Sequence, residues 1–280
     1  MILSKKHKII IATTAAAIFL LLSVIISNCY LEIKNYSISD KARIVLLSDL
    51  HGNSFGKGNK NLLKKITELQ PDIICLAGDF IDEDNTAQDN AEFIDFLDKL
   101  TDIALVYYSY GNHDLNYFNK NGYTLIEEIQ ATGCIVLEEE YVDIEINNKK
   151  IRLGGIFDYA FNQKYVSRDE WFKDSTFLFL NDFCNTDRTK ILMCHRPESF
   201  IYDNASFWEI DYVLCGHTHG GIWRLPFIGG VIAPEQGLFP MYDKGEYQIN
   251  NIKMIISSGL SGYKNIPRLF NCPEITVIEI

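Results

Sequence analysis

The sequence predicts an α/β protein: a four-layer α/β/β/α sandwich of two mixed sheets flanked by helices, preceded by an N-terminal transmembrane helix. Three observations support this prediction. The chain begins with a long uncharged apolar run, its first half alternates strand-like runs with amphipathic helices, and its second half contains mainly short β-type runs.

The bulk composition is that of an ordinary globular protein. The 280 residues, 47% hydrophobic and 22% charged, are enough for one large domain or two small ones. No Pro/Ser-rich linker or internal repeat divides the chain after the N-terminal run, so one domain is the simpler interpretation. The net charge of −11 argues against nucleic acid as a partner, because phosphate backbones are bound by basic surfaces.

The N-terminal run is long enough to cross a membrane. Lys5, Lys6 and Lys8 precede the uncharged residues 9–27, which would span roughly 28 Å as a helix. The lysines favour a cytoplasmic N-terminus, so we predict a single-pass cell-membrane protein whose remaining chain is extracytoplasmic. A cleaved signal peptide and a lipoprotein, the latter suggested by Ile26–Cys29, are the alternatives.

We divide the chain into an anchor at residues 1–30, a tether at residues 31–42 and one domain at residues 43–280. The segment Leu31–Asp40 also fits a first edge strand. From residue 43, apolar runs alternate with runs of helical spacing. The predicted elements are strand Arg43–Leu47, helix Asn59–Gln70, strand Ile73–Ala77, helix Ala91–Leu100 and strand Ile103–Tyr110. This βαβ alternation indicates a parallel sheet with helical cover.

After a further helix near residues 123–131 the runs become shorter and alternate with period two. The predicted strands of this half are Ile135–Leu137, Tyr141–Ile146, Ile151–Gly155, Lys190–Cys194, Asp211–Cys215, Met254–Ser257 and Ile275–Glu279.

Five polar motifs lie at the carboxyl ends of predicted strands, where ligands collect in α/β sheets. In order they are S-D-L-H (Asp49, His51), A-G-D (Asp79), G-N-H-D (Asn112, His113, Asp114), M-C-H (His195) and G-H-T-H-G-G (His217, His219). A lone D-x-H or G-D is more often a loop accident, and His195 alone would more often be a core histidine, whereas G-N-H-D and G-H-T-H-G-G are each fairly specific. All five in this position favour a shared site.

The donor set predicts two divalent metal ions. Carboxylate, amide and imidazole groups without thiolates suit Mn²⁺, Fe or Zn²⁺ and disfavour a structural zinc site. Asp79 can offer one carboxylate oxygen to each metal, and a hydroxide bridging the metals would attack phosphorus. His113 is not needed as a ligand and fits a general acid, with Asp114 beside it to hold its tautomer and keep it protonated.

The seven cysteines include no C-x-x-C pair. Cys75, Cys194 and Cys215 lie in apolar strand-like runs, where a thiol behaves as a small buried hydrophobe. We predict no disulfide framework, while one bridge among the other four cysteines stays open.

The ordered motifs resemble the calcineurin-like metallophosphoesterase superfamily from Arg43 to Ile280. The single anchor, G-H-T-H-G-G-x-x-R-L-P-F, G-L-F-P-M-Y and P-R-L-F-N-C-P-E-I are similar to the bacterial YkuE/YaeI-type phosphodiesterase branch. The resemblance implies two sets of metal ligands that share one carboxylate. It also implies that His113, outside both sets, is the catalytic acid. These sets are Asp49, His51, Asp79 and His219 for one metal, and Asp79, Asn112, His195 and His217 for the other. One departure is Ile222, where that branch commonly has Gln, and it affects the substrate rim rather than the metals.

Two arginines and one loop are candidates for substrate contact. Arg224 and Arg268 offer planar guanidinium groups for phosphate, with a surface ion pair as an equal alternative for each. The loop after the last histidine motif either forms an apolar rim for a lipid-like substrate or packs under itself. Its apolar residues are Trp223, Phe227, Ile228, Leu238, Phe239 and Met241.

The predicted function is a membrane-anchored, dinuclear metal-dependent phosphoesterase, and the resemblance adds the preference for diesters. A pyrophosphatase-type hydrolase of a nucleotide-linked lipid, such as a UDP-diacylglucosamine-like substrate, is the first alternative. A non-catalytic metal-dependent binding protein is the second. An extracytoplasmic domain would favour lipid or cell-envelope phosphoesters over nucleotides. The physiological substrate, the native metal and the oligomeric state do not follow from the sequence.

Overall fold

A computed structural model describes residues 4–37, 42–156, 175–201, 208–263 and 266–280. The helices, apart from short 3-10 turns, are α1 Lys5–Cys29, α2 Lys60–Leu69, α3 Ala87–Thr101, α4 Asn112–Asn121, α5 Thr124–Ala131, α6 Ser175–Cys184 and α7 Glu198–Ile201. The strands are β1 Glu32–Ser37, β2 Arg43–Leu47, β3 Ile73–Ala77, β4 Leu105–Ser109, β5 Ile135–Val136, β6 Glu140–Ile146, β7 Lys149–Ile156, β8 Thr189–Cys194, β9 Tyr212–Cys215, β10 Arg224–Leu225, β11 Gly229–Gly230, β12 Ile232–Ala233, β13 Gly237–Leu238, β14 Gly245–Ile249, β15 Ile252–Ile256 and β16 Glu274–Glu279.

The described strands form two six-stranded mixed sheets and two short hairpins. The first sheet has the order β1-β16-β2-β3-β4-β5, in which β2 to β5 are parallel and β16 runs antiparallel to β2. The second sheet has the order β14-β15-β9-β8-β7-β6, with a parallel centre and an antiparallel strand at each edge. The prediction of two mixed sheets is therefore confirmed.

Alternate side chains of the central strands point to opposite faces of the sheet and so pack in different layers. In β2, Ile44 and Leu46 pack between the sheets against residues such as Leu153 and Leu214. Val45 and Leu47 point the other way, into the core covered by α2 and α3. A third core lies beneath α6 on the outer face of the second sheet. Helix, sheet, sheet and helix thus form the four layers that the sequence predicts.

The segment after α1 is an edge strand rather than a tether. Glu32–Ser37 pairs in parallel with β16 from Glu32–Glu274 to Ser37–Glu279, and Leu31 is buried in the first core. The prediction of a tether at residues 31–42 is corrected for Glu32–Ser37, whereas residues 38–41 lie outside the described residues. The reason is the free edge of β16, since pairing satisfies backbone groups that a tether would leave to water.

Other differences concern elements with weak local patterns. Helix α4 begins at Asn112, inside the G-N-H-D motif, and neither it nor β14 is predicted from the sequence. Helix α1 has 25 residues and is apolar enough to cross a membrane, with most of its surface exposed. All seven cysteines lie in described segments and are free thiols, so the disulfide left open by the sequence is not formed.

Candidate dinuclear metal centre

The five motifs converge at the carboxyl ends of β2, β3, β4, β8 and β9. Two groups of side chains each bring their donor atoms within 4.8 Å of one another. The first group is Asp49, His51 and His219, and the second is Asp79, His195 and His217. His113 joins His51 and Asp79 in a third such group. Each main group contains three of the four residues of one metal set that the sequence resemblance implies, and the assignment of the sets stays a prediction.

Three of the histidines are oriented by oxygen acceptors at Nδ1. His51 Nδ1 lies 2.7 Å from Asp82 Oδ1, and His195 Nδ1 lies 2.7 Å from the carbonyl oxygen of Ala77. His219 Nδ1 lies 3.2 Å from the carbonyl oxygen of Ser261. An Nδ1–H that donates to oxygen leaves Nε2 as the lone-pair donor, which is the arrangement of metal-binding histidines.

Asp79 lies between the two groups. Its Oδ2 is 3.0 Å from His195 Nε2 and 3.7 Å from His51 Nε2, so one oxygen faces a histidine of each group. Its Oδ1 accepts the backbone N–H of His113 at 2.8 Å, in the first turn of α4. This position, fixed by a helix N-terminus, is the one that a bridging carboxylate needs.

The buried polar atoms of the site fit divalent cations. Asp49 and Asp79 are almost completely buried. Within the described segments, His51 Nε2, Asn112 Oδ1 and His217 Nε2 are buried polar atoms without a hydrogen-bond partner. Buried carboxylates and orphaned acceptors are costly unless a cation neutralises them. Oxygen and imidazole donors without thiolates suit Mn²⁺, Fe or Zn²⁺.

Five of these ligand candidates have backbone conformations that side chains rarely adopt. The φ angles are 53° at Asp49, 47° at His51, 57° at Asp79, 70° at His217 and 48° at His219. Each such conformation costs on the order of 1–3 kcal/mol and occurs mainly where function requires it. In S-D-L-H the turn brings Asp49 and His51 into one donor group, and in G-H-T-H-G-G it sends His217 and His219 to different groups.

Two glycines allow the backbone to approach Asp49. A Cβ at Gly216 would lie 2.6 Å from Asp49 Oδ2, and a Cβ at Gly259 would lie 2.7 Å from Asp49 Cβ. Gly259 also has a φ of 72°. Any larger residue at either position would displace the carboxylate.

His113 contacts two acidic residues that the sequence does not single out. Its Nδ1 lies 2.6 Å from Glu83 Oε2 and 3.3 Å from Asp82 Oδ1. Asp114 does not hold the His113 ring, so its predicted role as the tautomer partner is corrected. The signal that could have found Glu83 and Asp82 is the acidic run three residues after Asp79.

Asp114 instead clamps the loops that carry Asp79 and Asn112. Its two carboxylate oxygens accept the backbone N–H groups of Gly111 and Asp79 at 2.7 Å, Ile81 at 2.9 Å and Phe80 at 3.0 Å. The carboxylate is completely buried. It therefore positions Asp79 through the backbone, without reaching substrate.

We expect Asp114→Ala to lower the free energy of unfolding by about 3–5 kcal/mol, because four buried N–H groups lose a charged acceptor. Urea unfolding of the full chain in detergent would measure the loss. Asp84→Ala removes an exposed carboxylate from the neighbouring loop and should change the free energy of unfolding by less than about 0.5 kcal/mol. Equal stability of the two variants would contradict the clamp.

The protein groups around the site histidines favour different charge states. Burial opposes a proton on His51, but the hydrogen bond to Asp82 and the charge of Asp79 outweigh it and raise the pKa of His51 to about 9. Burial lowers the pKa of His219 to about 4 and that of His217 well below its usual value. At neutral pH His217 and His219 are ready to bind metal, whereas His51 must first lose a proton.

Metal binding should therefore release about one proton between pH 7 and 8, and metal affinity should increase as pH rises toward 9. Titration calorimetry of the metal-free full chain with Mn²⁺, in two buffers of different protonation enthalpy, measures the proton count. His51→Gln should remove most of the release. An affinity that is constant from pH 6.5 to 8.5 would refute the assignment of the charged histidine.

Arg268 is not available to a substrate. It is completely buried, and its guanidinium donates to the carbonyl oxygens of Ser258, Gly259, Ser261 and Cys272. The predicted phosphate contact of Arg268 is corrected: its charge is satisfied by backbone dipoles. Through Ser261, whose carbonyl oxygen also faces His219 Nδ1, the arginine supports the metal site indirectly.

Asn271 is a second support that sequence reasoning missed. Its Nδ2 donates to the carbonyl oxygens of His219 at 2.7 Å and Ile222 at 3.2 Å. Its backbone N–H donates to Ser27 Oγ of α1 at 3.2 Å. The N-terminal helix is thus connected to the backbone of a metal-ligand candidate.

Arg224 and the apolar loop lie next to the last histidine motif. Arg224 pairs with Asp243 at 2.8 Å and donates to the carbonyl oxygen of Gly220 at 2.8 Å, so the ion-pair alternative is the one observed. Trp223 Nε1 donates to the carbonyl oxygen of Pro267. The loop does not cover its own apolar side chains, since Phe227 and Met241 are fully or largely exposed.

The fold and the clustered donors define a metallophosphoesterase. Residues 42–221 match the calcineurin-like phosphoesterase family, and the chain belongs to this family. Members of the family bind divalent metals, in agreement with the clusters described above.

Similar proteins support the predicted branch of that family. The chain is 29% identical to the uncharacterized metallophosphoesterase YkuE of Bacillus subtilis, over 86% of this chain and 79% of that protein. It is 27% identical to the phosphodiesterase YaeI of Escherichia coli, over 85% of this chain and 82% of that protein. The crystal structure of TT1561 from Thermus thermophilus has a similar fold, with a TM-score of 0.50, 12% identity and coverage of 78% of this chain and 90% of that chain.

Proposed function

We propose that the chain is a phosphodiesterase that uses two divalent metal ions and His113 as its general acid. The observation that supports this most strongly is the meeting of the two donor groups at Asp79, with His113 beside them. Asp49, His51, Asp79 and His219 would hold one ion, and Asp79, Asn112, His195 and His217 the other. Similarity to the phosphodiesterase YaeI supports the preference for diesters.

The side chains of the site have different roles in the proposed hydrolysis. When bound, two divalent ions supply Lewis acidity toward the phosphoryl oxygens and an activated water as the nucleophile. Glu83 and Asp82 fix the orientation of the His113 ring through Nδ1, and in its imidazolium form the ring would give its Nε2 proton to the leaving alkoxide. The Asp114 clamp keeps Asp79 and the first turn of α4 in register during the reaction.

Hydrolysis by the full chain in detergent tests the proposal. With Mn²⁺ we expect turnover of bis(p-nitrophenyl) phosphate to exceed that of p-nitrophenyl phosphate and of a nucleotide-linked pyrophosphate, and a chelator should abolish it. Faster cleavage of the pyrophosphate would support the hydrolase of nucleotide-linked lipids instead. Stoichiometric metal binding without any turnover would support the binding protein.

Helix α1 is proposed as an uncleaved anchor that leaves the catalytic domain outside the cytoplasm. The apolar run and the three lysines before it support this topology. Phosphodiesters of lipid or envelope origin would then be the nearer substrates. Protease added to intact spheroplasts of a bacterium that makes the full chain should remove the domain and spare cytoplasmic markers. Complete protection would place the domain inside and exclude envelope substrates.

A further inference from the structure

Helix α1 does not stand free of the domain but packs against it with one face. Ser23 and Ser27, one turn apart, are buried, and Asn271 N–H donates to Ser27 Oγ. One turn further toward the N-terminus, the ring of Phe19 lies 5.7 Å from the ring of Phe270. The contact therefore extends from the last turn of α1 back to Phe19.

This contact is too deep for the domain to remain outside the lipid. From Phe19 to Ser27 the helix rises about 12 Å, whereas residues 9–18, the free part of the uncharged run, cover roughly 15 Å. The hydrocarbon core of a bilayer is about 30 Å thick. If α1 spans the bilayer, the part of it that contacts the domain lies within the hydrocarbon, and so does the domain surface beside Phe270.

That surface is apolar and exposed. Phe270 and the hairpin Arg224–Gly229 line a cavity of about 410 Å³. This hairpin and residues 238–241 after it carry a set of side chains, here called the apolar patch, whose exposed fractions range from 59% to 109%: Phe227, Ile228, Leu238, Phe239 and Met241. Five large apolar side chains this exposed within two adjacent hairpins are unusual for a surface in water.

The neighbouring surface has the charge expected at the level of lipid headgroups. Tyr30 follows α1 directly and is exposed, and Lys65 Nζ lies 5.5 Å from the centre of its ring. Lys60, Lys64 and Lys65 lie in α2, whose one acidic residue, Glu68, is 3.8 Å from Lys64 Nζ, so the helix carries a net positive charge. Aromatic and basic residues together are typical of the boundary between an anionic membrane and water.

We propose that the apolar patch is inserted in the same leaflet of the bilayer that the C-terminal half of α1 crosses, with the lysines of α2 at the headgroups. The partner is lipid rather than a second protein, because the patch continues through Phe270 onto a helix face that the bilayer already contacts. Asn271 contacts both Ser27 of α1 and the backbone of His219, so the helix contact and the metal centre share a residue. The inference rests on the proposed anchoring and not on the proposed hydrolysis.

Tryptophan quenching by brominated lipids tests this surface. The full chain is reconstituted into phosphatidylethanolamine/phosphatidylglycerol vesicles with plain or dibrominated acyl chains. Phe227→Trp and Met241→Trp each add tryptophan emission to that of the parent protein. Most of this added emission should be quenched in the dibrominated vesicles. Leu105→Trp, at the opposite ends of the strands and also exposed to solvent, should keep its added emission. Leu21→Trp, on an exposed face of α1, reports insertion of the helix itself.

Quenching at Phe227→Trp or Met241→Trp together with Leu21→Trp supports the proposal. Quenching at Leu21→Trp alone overturns it, and so does an absence of quenching at Leu21→Trp, since the patch then has no bilayer beside it. Turnover of bis(p-nitrophenyl) phosphate is measured in the same vesicles. A quenched patch without turnover contradicts only the proposed function, and turnover with an unquenched patch contradicts only the membrane contact.

Discussion

Asp79→Asn should reduce bound metal from two ions per chain to one or none and lower turnover to that of the chelator-treated protein. The amide keeps the shape of the side chain and can still accept the N–H of His113. It removes the negative charge that lies 3.0 Å from His195 Nε2 and 3.7 Å from His51 Nε2. Without that charge one oxygen can no longer hold two cations close together.

Metal content by mass spectrometry and turnover of bis(p-nitrophenyl) phosphate measure these two losses. Asp84→Asn is the matched control, since it removes an exposed carboxylate five residues further along the same loop and should change neither quantity. Circular dichroism establishes that both variants are folded. Two ions retained by Asp79→Asn would exclude this carboxylate as the bridge.

His113→Ala should leave both metals bound and lower turnover by about 10²–10⁴-fold, the usual contribution of a general acid. The residue lies outside the two main donor groups, and its Nδ1 is held by Glu83 rather than by a ligand candidate. The deficit should shrink for substrates with good leaving groups, because a stable phenolate needs little protonation.

The comparison is made across diesters whose leaving groups differ in pKa, with metal content measured in parallel. Glu83→Gln keeps a hydrogen-bond partner for Nδ1 and should cause a smaller deficit with the same dependence on leaving group. Loss of metal from His113→Ala would make His113 a ligand. A deficit that is equal for all leaving groups would exclude proton transfer by this histidine.

Much of the fold follows from local patterns in the chain. The central strands are predicted within one or two residues, for example Ile73–Ala77, because buried parallel strands require short runs of β-branched and apolar residues. Helix α4 is missed because its apolar residues are few, and its start is set by the Asp114 clamp rather than by periodicity. The edge strand Glu32–Ser37 depends on a partner more than two hundred residues away.

The candidate site, like the fold, is predicted from the sequence only in part. Donor types and the order of the motifs are visible in the sequence, and the structure brings the predicted histidines and carboxylates into two groups. The predicted partners of the charged groups are less accurate. Asp114 and Arg268 look like site residues because they lie in or near motifs, yet both bind backbone groups in the interior.

By itself, the sequence determined the layer architecture, the metal-binding chemistry and an apolar N-terminal helix, because each depends on residue type and on spacing within a few residues. Only the tertiary structure decided which acids hold His51 and His113, which arginine is buried, and that the loop near Phe227 is exposed beside α1. These properties depend on contacts between segments far apart in the chain. The hydrogen bonds between Asn28 and Arg268, 240 residues apart, are such contacts, and no local pattern encodes them.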